Sequence, residues 1–144
     1  WGNHSSTQYP DFTHATIGGR KAAEVIGDRA WLEGEFLTAI QQRGAAIIKA
    51  RGSSSAASAA QAVVDTVRSL REPAAEGDWH SVALCSAGCY GIEAGLICSF
   101  PFVLDGGMPR VVGGIEVDAF SRARVNASVA ELLEERDMVR DLLP

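Results

Sequence analysis

One histidine of this chain stands where a proton could be moved. Gly2-Asn3-His4-Ser5-Ser6-Thr7 leads through Gln8 into Tyr9-Pro10-Asp11. Imidazole titrates near neutrality, so it can take and return a proton at physiological pH. Asn3, Ser5, Ser6 and Thr7 surround it with short hydrogen-bonding groups. Gly2 lets the backbone turn sharply or approach a ligand closely. These residue types suit a general acid–base segment, and they suit a polar turn whose histidine does no chemistry. Ser53, Ser54 and Ser55 are the other concentration of reactive oxygen. They lack the Gly-x-Ser-x-Gly turn that exposes a hydrolytic nucleophile, so a serine hydrolase is a remote third reading. Cys85, Cys89 and Cys98 show no Cys-x-x-Cys pair. Zinc is therefore not expected, and the cysteines read as reduced strand residues rather than disulfides.

The elements that must position such a histidine come in chain order. Residues 12–27 read as a hairpin: β-branched character over 13–17, a Gly18-Gly19 turn, and a return over 21–26. Asp28 is a plausible N-cap for a helix carried by Ala30, Trp31, Leu32, Phe36, Leu37 and Ile40. Gly44 interrupts that pattern, and the helix resumes to about Arg51. Gly52-Ser53-Ser54-Ser55 punctuates the chain, with serine suited to cap the next helix. Ala56, Ala60, Val63, Val67 and Leu70 then form one helical stripe, whose alanines allow close packing by another helix or backbone. Residues 80–86 read as a strand and 87–95 as a glycine-rich loop. Residues 96–104 form a second strand, in which Pro101 suggests an edge or a bulge. Asp105-Gly106-Gly107 turns into a third short strand over 110–112. From Asp118 to the end the pattern is helical, with Val125, Val129, Leu132, Leu133, Val139 and Leu142 near one face. Glu131, Glu134, Glu135, Arg136 and Arg140 read as a solvated face. The whole predicts one α+β domain with antiparallel strands packed by long helices.

Composition sets outer limits. A chain of 144 residues is one domain's worth, and 47% hydrophobic residues suffice for a core. With a net charge of -5 and no long basic stretch, no nucleic-acid surface is indicated. No apolar run approaches the roughly 20 residues of a membrane helix. Asn3-His4-Ser5 and Asn126-Ala127-Ser128 match the glycosylation pattern, which without a secretory context is expected by chance. The last three residues match no peroxisomal signal. Cytoplasm is the expected location, with an organelle open if a targeting segment preceded Trp1.

The run from Gly2 to Asp11 resembles the catalytic-histidine signature of cytosolic-type malate dehydrogenases. The related lactate dehydrogenases have Gly-Glu-His-Gly in place of Gly2-Asn3-His4-Ser5. Further matches occur in the family's order: Trp31-Leu32 to Gly34-Glu35-Phe36, Gln42-Arg43-Gly44-Ala45-Ala46, Lys49-Ala50-Arg51, Ser53-Ser54-Ser55-Ala56, Tyr90-Gly91, Ser99-Phe100-Pro101 and a long final helix. The resemblance implies the carboxy-terminal catalytic domain of such an enzyme over residues 1–144. It implies His4 as proton acceptor and donor between malate and oxaloacetate, with NAD as hydride carrier. It also implies Gly44 where backbone nears the substrate, Ser54 near substrate and nicotinamide, and Asn3 beside the histidine. The readings of Gly44 as a packing glycine, Ser54 as a helix cap and Asn3 as a turn residue stay open. No bound metal is implied. The orienting aspartate, the carboxylate-gripping arginine and the dinucleotide fold belong to an amino-terminal Rossmann half that these residues do not supply. Gly88-Cys89-Tyr90-Gly91 and Gly113-Gly114 lack the helix start and acidic residue of a dinucleotide fingerprint. NAD over NADP follows from the resemblance alone. The family commonly assembles as homodimers. The competing expectation is a non-catalytic binding or dimerisation module that keeps the scaffold.

Overall fold

In the computed structural model, which describes residues 1–143, one strand organises the domain. In β4 (Ile97–Asp105), Cys98, Phe100 and Phe102 alternate along the chain and are all buried. Side chains two apart on a strand share a face, so all three lie on the buried face of β4, and Cys98 and Phe100 form the floor of the main cluster. Strand β3 (His80–Cys85) runs antiparallel on one side, from His80↔Phe102 to Cys85↔Ile97. On the other side, β5 (Met108–Val111) pairs from Phe102↔Val111 to Asp105↔Met108. Gly106 and Gly107 join β4 to β5 with φ of +60° and +83°. A two-residue hairpin needs positive φ at both positions to match strand twist, and glycine adopts it without a Cβ clash.

Pro101 does not mark an edge or a bulge: it sits in the central strand, opposite Ser81. The last β4–β5 register is Phe102↔Val111, and Val112 N–H donates to the Pro101 carbonyl at 3.0 Å. The N–H that proline lacks would point to the same side, toward Val112, whose carbonyl accepts from the Tyr90 hydroxyl instead. No acceptor is therefore left unpaired there.

Helix α6 (Ala119–Met138) closes the core. Asp118 caps it by accepting from Ser121 N–H at 2.7 Å, so one orphan donor of the first turn is satisfied. Val125 and Ser128 are fully buried, and Val129, Leu132 and Leu133 pack on the aromatic floor. Val139 and Leu142 leave that face. The helix ends at Met138, and a 3₁₀ turn, Arg140–Leu142, points both side chains outward. Tyr9, Phe12, Leu32, Leu37, Ile92 and Leu96 complete the cluster. Burial of each large side chain is worth about 1.5–3 kcal/mol.

Elsewhere the register differs from the pattern reading. The hairpin is short, β1 (Thr16–Ile17) against β2 (Arg20–Lys21) across Gly18-Gly19. The expected return strand over 21–26 is instead helix α1 (Ala22–Ile26), ended by Gly27 at φ +68°. Asp28 caps α2 (Arg29–Trp31), accepting from Trp31 N–H at 2.9 Å. A π-helical turn at Leu32–Phe36 connects it to α3 (Leu37–Gln41). The break falls at Gln42 (φ -99°, ψ 3°), two residues before Gly44, and α4 (Arg43–Arg51) comes next. Helix α5 (Ala57–Ser69) is exposed along nearly its whole length, and among the described residues no helix packs on its alanines. Among the described residues no helix is long and apolar enough to cross a membrane. The domain is thus α+β, with antiparallel strands and packed helices, as the pattern predicts.

Candidate functional site

The segment that carries His4 is pinned at both ends. Gly2 forms an isolated antiparallel bridge to Ser99 of β4. Its N–H donates to the Ser99 carbonyl at 3.2 Å and its carbonyl accepts from Ser99 N–H at 2.9 Å. Gly2 is buried with φ +90°, and a Cβ built there would lie 2.2 Å from Ser128 Oγ. Only glycine passes between β4 and α6 at that point. At the far end Tyr9 is buried, its hydroxyl 2.8 Å from Ser121 Oγ, and its backbone N–H donates to the Trp1 carbonyl at 3.0 Å. Burial pushes the Tyr9 phenol up from its ordinary value, so it stays a neutral partner for Ser121.

Between these anchors the side chains turn toward α6. Asn3 N–H donates to Ser128 Oγ at 2.7 Å, and Asn3 Nδ2 donates to Glu131 at 3.1 Å and Glu135 at 3.0 Å. The Ser5 hydroxyl also reaches Glu131, and the Thr7 hydroxyl donates to it at 2.5 Å. These hydroxyl donors, with burial opposing and Asn3 assisting, hold the Glu131 carboxyl below the usual carboxylate range. Glu131 and Glu135 are therefore not the free solvated face that their charge run suggests. Ser128, Glu131 and Glu135 fall at i, i+3 and i+7 of α6, one stripe facing the loop.

His4 is left exposed, with no hydrogen-bond partner for its ring among the described residues. It opens on a cleft of about 1030 Å³ that also takes in Gln8, Asp11, His14, Thr66 and Trp79. Asp11 does not orient it. Its carboxylate is taken by Thr13 Oγ1 at 2.6 Å, His14 Nδ1 at 2.8 Å and Trp1 Nε1 at 3.1 Å. Burial pushes the Asp11 carboxyl up, but those bonds outweigh it and hold it below the ordinary value. His14 is half-buried in this pair and lies against Trp79.

Gly44 and Ser54 do not line this cleft. Gly44 lies exposed in the first turn of α4, with open space where a Cβ would be, so tight packing does not explain it. Ser54 is exposed in the loop before α5. The residue at that helix's N-cap is Ala56, and no side chain caps it. Capping therefore does not explain Ser54. The Asn3 side chain is committed to two carboxylates on α6 rather than turned to a ligand. Among the described residues no group of three or more His, Cys, Asp or Glu could hold a metal.

Known proteins match this chain over nearly its whole length. The pattern of the lactate/malate dehydrogenase, alpha/beta C-terminal domain, matches residues 1–142. A malate dehydrogenase of Rhodococcus opacus (strain B4) is 54% identical over 142 residues, which are 99% of this chain and 43% of that protein. The crystal structure of malate dehydrogenase from Naegleria fowleri is 47% identical, with a TM-score of 0.89 over 99% of this chain and 44% of that one. A Trichomonas vaginalis lactate dehydrogenase in complex with NADH and oxamate is 28% identical, with a TM-score of 0.87 over 98% of this chain and 44% of that one. This chain therefore spans less than half the length of the relatives it matches.

Proposed function

The chain belongs to the lactate/malate dehydrogenase family, as its alpha/beta C-terminal domain, and from that premise we propose that residues 1–144 form the catalytic domain of a cytosolic-type malate dehydrogenase. The reaction interconverts malate and oxaloacetate with NAD(H). The observation that carries the reading is His4 itself. It is an exposed imidazole on a segment braced at both ends and opening on a large cleft. A neutral His4 accepts the hydroxyl proton of malate; a protonated His4 donates it to the ketone oxygen of oxaloacetate. A positioned acid–base group of this kind is worth about 10²–10⁴ in rate. Malate is favoured over lactate by the Asn3-His4-Ser5 wording and by the higher identity to the two malate dehydrogenases.

The coenzyme supplies the hydride acceptor. Its pyrophosphate has no seat among the described residues, because every strand pair is antiparallel and no parallel strand–glycine turn–helix unit is present. We assign that seat, the aspartate that orients His4 and the arginine that grips the substrate carboxylate to an amino-terminal Rossmann half of the same protein. We also propose a homodimer in the cytoplasm. The dimer is supported by Val63, Val64 and Val67, which α5 presents to solvent.

The test is turnover. Purified residues 1–144 should oxidise no NADH with oxaloacetate, and the same residues joined to the amino-terminal half should do so at ordinary enzymatic rates. Turnover by residues 1–144 alone would contradict the assignment of the remaining site groups to another part of the protein.

A further inference from the structure

We infer that Glu131, reaching from α6, is a positioning residue for His4: one carboxylate holds the residues on both sides of the acid–base histidine. The inference rests on His4 being the proton carrier. Asn3 precedes His4 and gives Glu131 a hydrogen bond of 3.1 Å, while Ser5 comes after His4 and gives it another. Thr7 adds a third, at 2.5 Å. All three donors converge on Oε2. Charge-assisted bonds of this kind are roughly twice as strong as neutral ones.

Proton bookkeeping supports a single ordered arrangement. Each hydroxyl has one proton to give. Ser5 and Thr7 spend theirs on the carboxylate. The 2.8 Å contact between them is then one of two acceptors brought together by Glu131, and the Thr7 proton is also shared with Ser128 Oγ at 3.0 Å. Ser128 Oγ is free to accept from Asn3 N–H, and Ser5 Oγ from Thr7 N–H at 3.0 Å. The Asn3, Ser5 and Thr7 side chains are thereby tied to α6, while His4 and Ser6 stay exposed outside the network. The carboxylate at position 131 closes this network with a charged acceptor. A side chain with no acceptor there leaves both hydroxyls without that partner and frees the backbone on either side of His4.

The consequence is catalytic precision rather than a contact with substrate. A misplacement of about 1 Å can cost a hundredfold in rate. In the full-length enzyme, Glu131→Ala should lower the rate constant of hydride transfer by about tenfold to a hundredfold. NADH affinity should not change. Glu131→Gln keeps the length and one acceptor oxygen, so it should recover part of the loss. Single-turnover oxidation of NADH by oxaloacetate separates positioning from simple instability. A displaced histidine lowers the rate constant at full amplitude, whereas partial unfolding lowers the amplitude at the native rate constant. If Glu131→Ala fails to fold, Glu131→Gln is read by the same criterion. A native rate constant in the folded variants overturns the inference. His4→Asn in the same protein keeps the two claims apart. Inactive His4→Asn beside fully active Glu131 variants removes the positioning role alone; fully active His4→Asn removes the proton-carrier reading and this inference with it.

Discussion

Replacement of Gly2 by alanine is the sharpest structural test, because its cost can be built from two separate sources. The first is the backbone. Gly2 has φ +90°, and an L residue forced to positive φ costs about 1–2 kcal/mol. The second is steric. The new Cβ would fall 2.2 Å from Ser128 Oγ and 2.6 Å from Ser128 Cβ, both far inside contact distance. Ser128 is fully buried on α6 and cannot step aside, so overpacking adds about 1–3 kcal/mol. The sum is about 2–5 kcal/mol. At roughly 3 °C per kcal/mol for a domain of this size, the melting temperature should fall by about 6–15 °C. A double-mutant cycle separates the sources. Ser128→Ala removes the 2.2 Å contact and keeps the 2.6 Å one, so it should give little relief. Ser128→Gly removes both, so in that background Gly2→Ala should cost only the backbone term of about 1–2 kcal/mol. Circular dichroism melts and urea titrations of the wild type, the three single variants and the two double variants provide the readout. Gly2→Ala within about 0.5 kcal/mol of wild type, a range ordinary for surface changes, would refute the reasoning. An equal cost of Gly2→Ala with serine and with glycine at position 128 would also refute it.

Three further outcomes are expected. Phe100 is fully buried at the centre of β4, so Phe100→Ala should cost about 3–5 kcal/mol in urea unfolding. Glu131 and Asp11 both have folded pKa values below their ordinary ones, so the unfolded chain binds more protons in acid. Their stabilisation should be complete above about pH 4.3 and lost as pH falls through the depressed folded values. Melting temperature followed from pH 6 downward should show this acid limb, and Glu131→Gln should make it shallower. Val63 and Val67 are 64% and 52% exposed on α5, so Val63→Asp and Val67→Asp should leave folding nearly unchanged. In the full-length protein the same changes should weaken dimerisation in sedimentation velocity; an unchanged dimer would move the proposed interface elsewhere.

The sequence carried the fold wherever one residue type decides a local conformation. Gly18-Gly19 and Gly106-Gly107 announce their turns, Asp28 and Asp118 their helix starts, alternation marks β3, and a run of β-forming residues marks β4. It misled where tertiary context overrides local preference. Pro101 is harmless in the central strand because the Val112 carbonyl opposite it accepts from the Tyr90 hydroxyl. Residues 22–26, apolar enough for a strand, fold as helix α1 once the hairpin has closed. The chain bends at Gln42, not at Gly44, so the glycine's freedom is not what makes the break. In the candidate site, the His4 segment was legible because its polar residues are contiguous. Its brace was not. A glutamate on the polar face of a helix has the same signature whether it meets water or accepts hydroxyls from residues more than 120 positions away. The i, i+3, i+7 spacing of Ser128, Glu131 and Glu135 was the available signal, and it becomes meaningful only when a donor-rich loop is known to lie opposite.

The central claim is that His4 moves the proton between malate and oxaloacetate. The direct measurement is the single-turnover rate of NADH oxidation by oxaloacetate for His4→Asn in the full-length enzyme, compared with wild type. Asparagine keeps a polar side chain of similar reach and cannot exchange a proton near neutrality. The expected rate constant is lower by about 10²–10⁴, with NADH binding and melting temperature unchanged. A His4→Asn protein that transfers hydride at the wild-type rate would contradict the claim.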